Sequence, residues 1–313
     1  MFKQKIALGA WAWGTGMAGG DQVFGNTLTV EELRPVFEEA INCGLKLWDT
    51  AAVYGLGTSE ELLGTFIKDV KREDIVISTK FTPQIADFTE EAAQNMIDGS
   101  KKRLHVDYMD IYWIHNPSDV EKWTSKIIPL AKSGQIKHIG VSNHNLEEIK
   151  LANSILAKEG LKISAIQNHY SLLHRSSENG GILDYCKEND IVFFSYMVLE
   201  QGALTGKYNS NNPFPTGSGR GVAYNKYLPK IEELVKVLQE IADKNNATVA
   251  QVAIAWAIAK GTLPIIGVTK VNHVQDAYKA TQIKLTEEDM IKMEKSAEEI
   301  GISTIREWEK SMD

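Results

Sequence analysis

The sequence predicts an α/β protein with a single (β/α)8 barrel, or TIM barrel, and two observations support this. Eight short runs rich in β-branched and aromatic residues read as strands, at 6–9, 45–48, 75–79, 109–114, 136–141, 163–167, 191–196 and 263–267. Most are separated by amphipathic stretches with helical spacing. Such alternation builds a parallel sheet, which is either open and doubly wound or closed. The strand count and the 313-residue length favour the closed barrel.

Helical spacing is clearest at 30–43, 89–104, 145–158 and 176–189. Thr29 precedes the first stretch, with Glu32 three residues on, which is the spacing of a capping box. Gly44 follows the same stretch, where a glycine often closes a helix. Thr58 and Glu61 repeat the capping-box spacing, so we expect a second helix to begin there.

The composition shows no break between domains, so residues 1–313 are expected to form one domain. The segment 200–229, rich in Gly, Asn, Pro and Ser, follows the seventh strand and is predicted to be a long flexible loop over a ligand. The segment 286–313 is predicted to hold a helix capped by Thr286 and Asp289, then a tail with Trp308. Whether that tail borders the pocket is left open.

Charge and cysteine content exclude several classes of protein. The net charge is −7 with acids and bases interspersed, which argues against a nucleic-acid partner. The two cysteines, Cys43 and Cys186, form no disulfide framework, as expected in a reducing compartment. The apolar runs are too short for a signal peptide or a membrane span. We expect a cytoplasmic protein without a membrane partner; whether it is a monomer or a homo-oligomer stays open.

One motif is misleading. Residues 14–19 match the glycine spacing G-x-G-x-x-G after a strand-like run. A dinucleotide fingerprint also needs a helix that opens at once and an acid about 20 residues further on. Loop-like residues follow instead, and the next helix is expected near Val30. The match is therefore interpreted as a flexible loop.

Polar residues stand at the ends of successive strands. Taken singly, an aspartate there usually caps a turn, a lysine is solvated and a histidine is structural. The carboxyl ends of barrel strands converge on one site, however, so their joint occurrence indicates a functional cluster. The members are Asp49, Tyr54, Lys80, His115, Ser142, Asn143, Gln167, Asn168, Ser195 and Tyr196.

The residue types indicate proton transfer. A tyrosine with an ordinary pKa of about 10 is a weak acid at neutral pH, and a nearby ammonium lowers that pKa. Lys80 would supply the ammonium, Asp49 would hold Lys80, and His115 would bind a substrate oxygen. The set contains no Ser–His–acid order and no metal-ligand cluster. Hydride transfer to a carbonyl fits such a set, because a cofactor brings the electrons.

At this point the sequence resembles the aldo-keto reductase family from about Ile6 to Ala280. The resemblance rests on seven stretches: LWDTAAVYGLGTSEELLG (47–64), STK (78–80), DIYWIHNP (110–117), GVSN (140–143), IQNHYSLLHR (166–175), YMVLEQGALTGKY (196–208) and PIIGVTK (264–270). It implies a barrel that binds NADPH without a Rossmann fold. The family's catalytic tetrad falls on Asp49, Tyr54, Lys80 and His115, with Tyr54 as the acid in carbonyl reduction and the base in alcohol oxidation.

The resemblance also implies the cofactor residues. Ser142, Asn143 and Gln167 would hold the nicotinamide carboxamide, and Tyr196 would stack on the ring. In the branch with a long loop after strand seven, Lys207 and Arg220 would fold over the pyrophosphate, although solvated loop charges are an equal alternative. Further cofactor residues implied are Leu199, Gly202, Gly267, Thr269, Lys270 and His273.

Two departures from the family pattern concern the cofactor. Met197 and Val198 stand where the family often has serine and proline, so a serine hydroxyl is missing. Val268, Thr269 and Lys270 align with the stretch that often binds the 2′-phosphate, and Ala277 replaces a frequent asparagine. Lys270 still offers a cation for phosphate. NADPH is expected, and NADH stays open.

Aromatic residues near the strand ends suit a carbonyl substrate with apolar parts. The candidates for the substrate pocket are Trp11, Trp13, Phe24, Phe81, Trp113 and Asn116. Phe81 is favoured because it directly follows Lys80. Ordinary core or rim packing is an equal alternative for each aromatic residue.

Two other functions stay open. The first is a cofactor-binding regulatory or interaction protein similar to potassium-channel beta subunits. The second is a barrel enzyme unrelated to redox chemistry that uses a phosphate near strands seven and eight. The expected function is an oxidoreductase that reduces aldehydes or ketones.

Overall fold

Eight parallel strands close into a barrel in which each strand pairs with the next along the chain. The computed structural model describes residues 3–307 and 309–312. The strands are β1 (Ala7–Gly9), β2 (Leu47–Asp49), β3 (Val76–Phe81), β4 (Met109–Ile114), β5 (Ile136–Ser142), β6 (Ile163–His169), β7 (Val192–Tyr196) and β8 (Leu263–Gly267). β8 returns to β1 with Gly267 opposite Gly9. This topology confirms the predicted barrel and excludes the open sheet.

Helices follow the strands around the barrel. They are α1 (Gly20–Phe24), α2 (Val30–Asn42), α3 (Thr58–Ile67), α4 (Ala92–Leu104), α5 (Val120–Lys132), α6 (Leu146–Ala157), α7 (Ser176–Asn179), α8 (Ile182–Glu188), α9 (Gly219–Tyr224), α10 (Leu228–Lys244), α11 (Val249–Ala259), α12 (Val271–Ala280) and α13 (Glu287–Ile300). None of these has the length and apolar character that a membrane span requires. The stretch predicted as one helix at 176–189 is two helices, because Gly180 and Gly181 interrupt it and Gly181 has a φ of 72°.

The barrel interior is packed with apolar side chains. Its members are Ala7, Leu47, Ile111, Trp113, Ala165, Phe194 and Leu263. The Trp113 indole packs edge-on against Phe194, with ring centroids 5.1 Å apart. A larger apolar layer lies between the strands and the helices. Because this interior is filled, functional side chains are left at the carboxyl ends of the strands.

Two of the predicted capping boxes form. The Thr29 hydroxyl accepts from the Glu32 N–H, and the Glu32 carboxylate accepts from the Thr29 N–H at 2.9 Å. Thr286 and Asp289 make the same reciprocal pair at the start of α13. Gly44 follows α2 with a φ of 72°, as expected for a closing glycine.

The capping box predicted at Thr58 and Glu61 is wrong. The residue that precedes α3 is Gly57, with a φ of 105°. The Thr58 hydroxyl instead accepts from the Thr15 N–H at 2.9 Å and donates to the Thr15 carbonyl at 3.2 Å. A tertiary contact therefore takes the hydroxyl that the local motif would have used, and it ties the segment after β1 to α3.

Two segments expected to be loops are partly ordered. The helix expected near Val30 begins there, but part of the segment before it, which was expected to be a loop, forms the short helix α1. The first residue of α1, Gly20, must be a glycine, because a Cβ there would lie 2.3 Å from the Ala12 Cα. The segment 200–229 holds a 3-10 helix, Glu200–Thr205, and α9. The Arg220 guanidinium lies 5.2 Å from the Phe24 ring centroid, so the two segments meet across the barrel mouth.

Candidate active site

A buried ion pair forms the base of the site. Asp49 ends β2 and Lys80 lies near the end of β3, with 3% and 0% of their surfaces exposed. The Lys80 ammonium donates to Asp49 Oδ2 at 2.5 Å and to the Thr50 carbonyl at 2.7 Å. Burial lowers the pKa of Lys80, and the Asp49 charge opposes that shift. A buried charge of either sign is costly alone, so each residue requires the other.

The second Asp49 oxygen is also occupied. Asp49 Oδ1 accepts from the Ser78 hydroxyl at 2.6 Å and from the Gln167 amide at 3.2 Å. Ser78 in turn accepts from the Trp113 indole N–H at 2.6 Å. These contacts hold the Asp49 carboxylate in the orientation in which Oδ2 faces the Lys80 ammonium. The sequence reasoning missed Ser78, although it lies two residues before Lys80 and alternate strand residues share a face.

Tyr54 stands above the ion pair in a 3-10 turn, Tyr54–Gly57, that follows β2. The Lys80 ammonium lies 5.2 Å from the Tyr54 ring centroid, and the His115 ring centroid is 5.8 Å away. Burial, and then the Asp49 charge, raise the pKa of Tyr54 above its ordinary value. The net shift is thus opposite in direction to the lowering that was expected from Lys80, and burial is its largest cause. The phenol is therefore protonated and is a proton donor.

His115 follows β4 and is held from two sides. Its Nδ1 lies 2.8 Å from the Thr82 hydroxyl, and its carbonyl accepts from the Asn143 amide at 2.9 Å. Burial and the Lys80 charge lower the pKa of His115 well below its ordinary value, so the ring is neutral. With Nδ1 paired to Thr82, Nε2 is the nitrogen that can bind a substrate oxygen. Thr82, which lies just beyond the end of β3 and two residues after Lys80, was also missed by sequence.

Four residues expected to bind the cofactor lie beside this cluster. Asn143 has a φ of 62°, a conformation that asparagine tolerates better than most residues. Its amide donates to His115 and also to the Ser142 hydroxyl at 3.2 Å. Its Oδ1 accepts from the Tyr196 hydroxyl at 2.6 Å. Gln167 joins the same group through Asp49, so the structure brings the expected carboxamide residues and the tetrad together.

The tail after α13 reaches this group, which the sequence did not predict. The Tyr196 hydroxyl also lies 2.9 Å from Glu309 Oε1. The other Glu309 oxygen lies 2.9 Å from His169 Nδ1, and His169 Nε2 lies 2.8 Å from Glu200. Burial acts to lower the pKa of His169, but the two carboxylates outweigh it and raise the pKa to about 9. Trp308, noted from sequence, lies outside the described residues.

The residues expected at the cofactor phosphates lie after β7 and β8. Arg220 donates to the Gln201 carbonyl at 3.4 Å. Among the described residues, Arg220 Nε and both side-chain amide atoms of Gln201 are buried without a hydrogen-bond partner. His273 Nδ1 lies 3.3 Å from the Thr269 N–H. Lys207, Lys270 and Gly267 are exposed, and Leu199 and Gly202 are half-buried. Gln201 was missed by sequence.

Three of the expected substrate-pocket residues lie in the core, so their prediction was wrong. Trp13 donates to the Val268 carbonyl at 2.6 Å, Phe81 packs on Trp123 and Trp113 lies inside the barrel. Each of the three has 0% of its surface exposed. Phe81 faces the helices because neighbouring strand residues point to opposite faces, and Lys80 takes the inner one.

Other residues border Tyr54. The Trp11 ring centroid lies 5.9 Å from that of Tyr54 and 5.6 Å from that of Phe24. Asn116, next to His115, exchanges two amide hydrogen bonds with Gln84, at 2.9 and 2.6 Å. The residues Trp11, Phe24, Tyr54 and Asn116 are half-buried, and Gln84 is exposed. The site thus has an aromatic side and an amide side, and Gln84 was not expected.

Comparison with known proteins gives consistent matches. The model of the Aldo/keto reductase family matches residues 5–298. A chloroplastic pyridoxal reductase of Arabidopsis thaliana is 34% identical, over 96% of this chain and 85% of its own length. An aldo-keto reductase of Schizosaccharomyces pombe whose name specifies NADP(+) is 32% identical, over 88% of this chain and 85% of its own length. A thermostable aldo-keto reductase solved with the inhibitor epalrestat has a TM-score of 0.75 and 28% identity, over 93% and 94%.

Proposed function

The chain belongs to the aldo/keto reductase family, and on that premise we propose that it reduces aldehydes or ketones to alcohols with Tyr54 as the general acid. The enzyme is an NAD(P)H-dependent oxidoreductase, as the sequence predicted. One observation carries the proposal. The side chains of Asp49, Tyr54, Lys80 and His115, from separate segments, meet at the mouth of the barrel.

The cofactor is NADPH, and two groups of residues fit it. Ser142, Asn143 and Gln167 offer hydroxyl and amide groups to a carboxamide, beside the aromatic face of Tyr196. At the other end, the buried and unpartnered Arg220 Nε supports a role in binding phosphate. The similarity to a relative whose name specifies NADP(+) supports NADPH over NADH.

The phosphate end would be completed by residues after β7 and β8. Lys207 and Lys270 are exposed cations there, and Thr269 is hydrogen-bonded to His273. Leu199, Gly202 and Gly267 would line the same path. Gln201 joins the proposed set because its buried side-chain amide lacks a partner and its backbone carbonyl accepts from Arg220.

Each catalytic residue has a separate task. NADPH, when bound, supplies the hydride to the carbonyl carbon. Tyr54 donates its hydroxyl proton to the carbonyl oxygen as negative charge develops there. The Lys80 ammonium stabilises the tyrosinate that remains, and Asp49 keeps Lys80 charged and in place. His115 Nε2 donates a hydrogen bond to the same oxygen, and solvent then returns a proton to Tyr54.

The substrate is proposed to be an aldehyde with an aromatic ring. Trp11 and Phe24 form an aromatic side next to Tyr54, and the Gln84–Asn116 amide pair lies next to His115. Similarity to a pyridoxal reductase makes pyridoxal the first compound to test.

A parallel screen tests the proposed function. Purified enzyme is mixed with NADPH or NADH and with benzaldehyde, pyridoxal or an aliphatic ketone, and consumption of the reduced cofactor is followed. We expect turnover with NADPH and at least one aromatic aldehyde. Tight NADPH binding without turnover of any carbonyl would contradict the proposal and favour the regulatory alternative.

A further inference from the structure

Tyr196 has one hydroxyl hydrogen and two acceptors within reach. Its oxygen lies 2.6 Å from Asn143 Oδ1 and 2.9 Å from Glu309 Oε1. A phenol carries a single hydrogen, so it cannot make two full-strength donor bonds at once. The distribution of that hydrogen therefore depends on which acceptor is engaged elsewhere.

Asn143 presents its oxygen, and not its nitrogen, to Tyr196. The amide nitrogen of Asn143 donates to the His115 carbonyl at 2.9 Å and to the Ser142 hydroxyl at 3.2 Å. A reversed amide would place its oxygen against the His115 carbonyl oxygen. Asn143 Oδ1 is thus an acceptor, and it belongs to the residues proposed to hold the nicotinamide carboxamide.

The Glu309 carboxylate is a buried, ionised hydrogen-bond acceptor. Its side chain is 1% exposed, and its Oε2 accepts from the Arg306 N–H at 2.9 Å as well as from His169. Burial acts to raise the pKa of Glu309, but the hydrogen bond and charge of His169 hold it below its ordinary value. Glu200 balances the charge of His169 from the other side.

The tail holds Glu309 in place through contacts that do not involve Tyr196. Thr304 donates to Glu200 at 3.1 Å, and the Met312 N–H donates to the Ser176 hydroxyl at 3.3 Å. Met312 is buried and lies so close to Gly180 that a Cβ there would be 2.2 Å from the Met312 carbonyl oxygen. Lys310 forms an ion pair with Glu148.

We propose that Glu309 is a positioning residue for the nicotinamide end of the cofactor. In the structure the Tyr196 hydroxyl makes its shorter contact with Asn143 Oδ1. When the cofactor binds, the Glu309 carboxylate would take the hydroxyl hydrogen of Tyr196, which fixes that ring and frees Asn143 Oδ1 for an amide N–H of the carboxamide. Glu309 acts through Tyr196 and Asn143. This inference rests on the proposed function, because it requires that a nicotinamide nucleotide binds beside Asn143.

The test is a double-mutant cycle on cofactor affinity. The Kd of NADPH is measured by fluorescence titration for the wild type, Glu309→Ala, Tyr196→Phe and the double variant. Glu309→Ala is expected to raise the Kd about five-fold, which corresponds to the loss of one hydrogen bond. In the Tyr196→Phe background, Glu309→Ala is expected to change nothing further, because the hydroxyl hydrogen is already gone.

Three controls localise the effect. The probe 2′,5′-ADP lacks nicotinamide, and its Kd should not respond to Glu309→Ala. Glu309→Gln retains an acceptor oxygen and should bind NADPH within about two-fold of the wild type. Lys310→Ala removes only the exposed tail contact with Glu148, and because the buried contacts of Thr304 and Met312 still hold the tail, it should leave the NADPH Kd unchanged.

Three outcomes would overturn the role of Glu309. The first is an unchanged NADPH Kd in Glu309→Ala. The second is an equal loss of affinity in the Tyr196→Phe background, and the third is an equal loss for 2′,5′-ADP. If the wild-type protein failed to bind NADPH at all, the proposed function itself would fall, and this inference with it.

Discussion

The Lys80 ammonium lies 2.5 Å from the Asp49 carboxylate in the base of the barrel mouth, and both side chains are almost wholly buried. The pair positions the charge that faces the Tyr54 ring. Its partners Ser78, Thr50 and Gln167 come from three different segments, so the pair also ties the barrel together.

Removing one member of this pair should destabilise the fold more than removing both. Lys80→Met leaves Asp49 as an uncompensated buried charge and is expected to cost about 3–5 kcal/mol in the free energy of unfolding. Asp49→Asn combined with Lys80→Met should recover part of that loss. Urea denaturation monitored by circular dichroism measures both. Strictly additive losses would show that the two residues act independently.

Thr82 should determine which nitrogen of His115 carries the ring hydrogen. In Thr82→Val the partner of Nδ1 is lost, so the neutral ring is free to place its hydrogen on either nitrogen. We expect kcat to fall about ten-fold, as for a weakened donor to the substrate oxygen, with the NADPH Kd unchanged. Thr82→Ser keeps the hydroxyl and should retain activity. Equal activity of the valine and serine variants would contradict this role.

Substitution of Trp11 should change the KM for substrate, whereas substitution of Phe81 should change the free energy of unfolding. Trp11 borders Tyr54, whereas Phe81 is buried against Trp123. Trp11→Ala is expected to raise the KM for an aromatic aldehyde about ten-fold with little change for a short aliphatic one. Phe81→Leu should lower the free energy of unfolding by about 1 kcal/mol and leave both KM values unchanged. A changed KM in Phe81→Leu would show that Phe81 does contribute to the substrate pocket.

The contribution of His169 to the free energy of unfolding should decrease as the pH rises above neutrality. Its pKa in the folded protein is raised to about 9, while an unfolded histidine has a pKa of about 6.5. The stabilisation is therefore fully present below about pH 6.5 and is lost as the pH rises through about 9. The difference in unfolding free energy between the wild type and His169→Gln should shrink over that interval. A constant difference would show that His169 is not charged in the folded state.

Much of the fold could be predicted because it is encoded locally. Each β-strand is a short apolar run, and polar residues at the strand ends must converge once the barrel closes. This is why Lys80 and His115 could be assigned to one cluster although 35 positions separate them. The family resemblance is confirmed by the match over residues 5–298.

Features that depend on tertiary contacts could not be predicted. Thr58 makes a hydrogen bond to Thr15 instead of capping α3, and nothing in the local sequence signals that choice. Glu309 lies beyond the last helix with no periodic pattern to mark it. Whether Trp113 lines the opening or lies beneath it depends on how the barrel interior fills. The long-loop branch, the single-domain organisation, the cytoplasmic location and the oligomeric state stay predictions.

The most direct measurement is the turnover of Tyr54→Phe beside its affinity for NADPH. This change removes only the hydroxyl that donates the proton and keeps the ring against Trp11 and His115. We expect NADPH-dependent reduction of an aromatic aldehyde to fall by a factor of about 10² or more, with the NADPH Kd within two-fold of the wild type, about the uncertainty of a titration. Turnover at the wild-type rate would contradict the assignment of Tyr54 as the general acid.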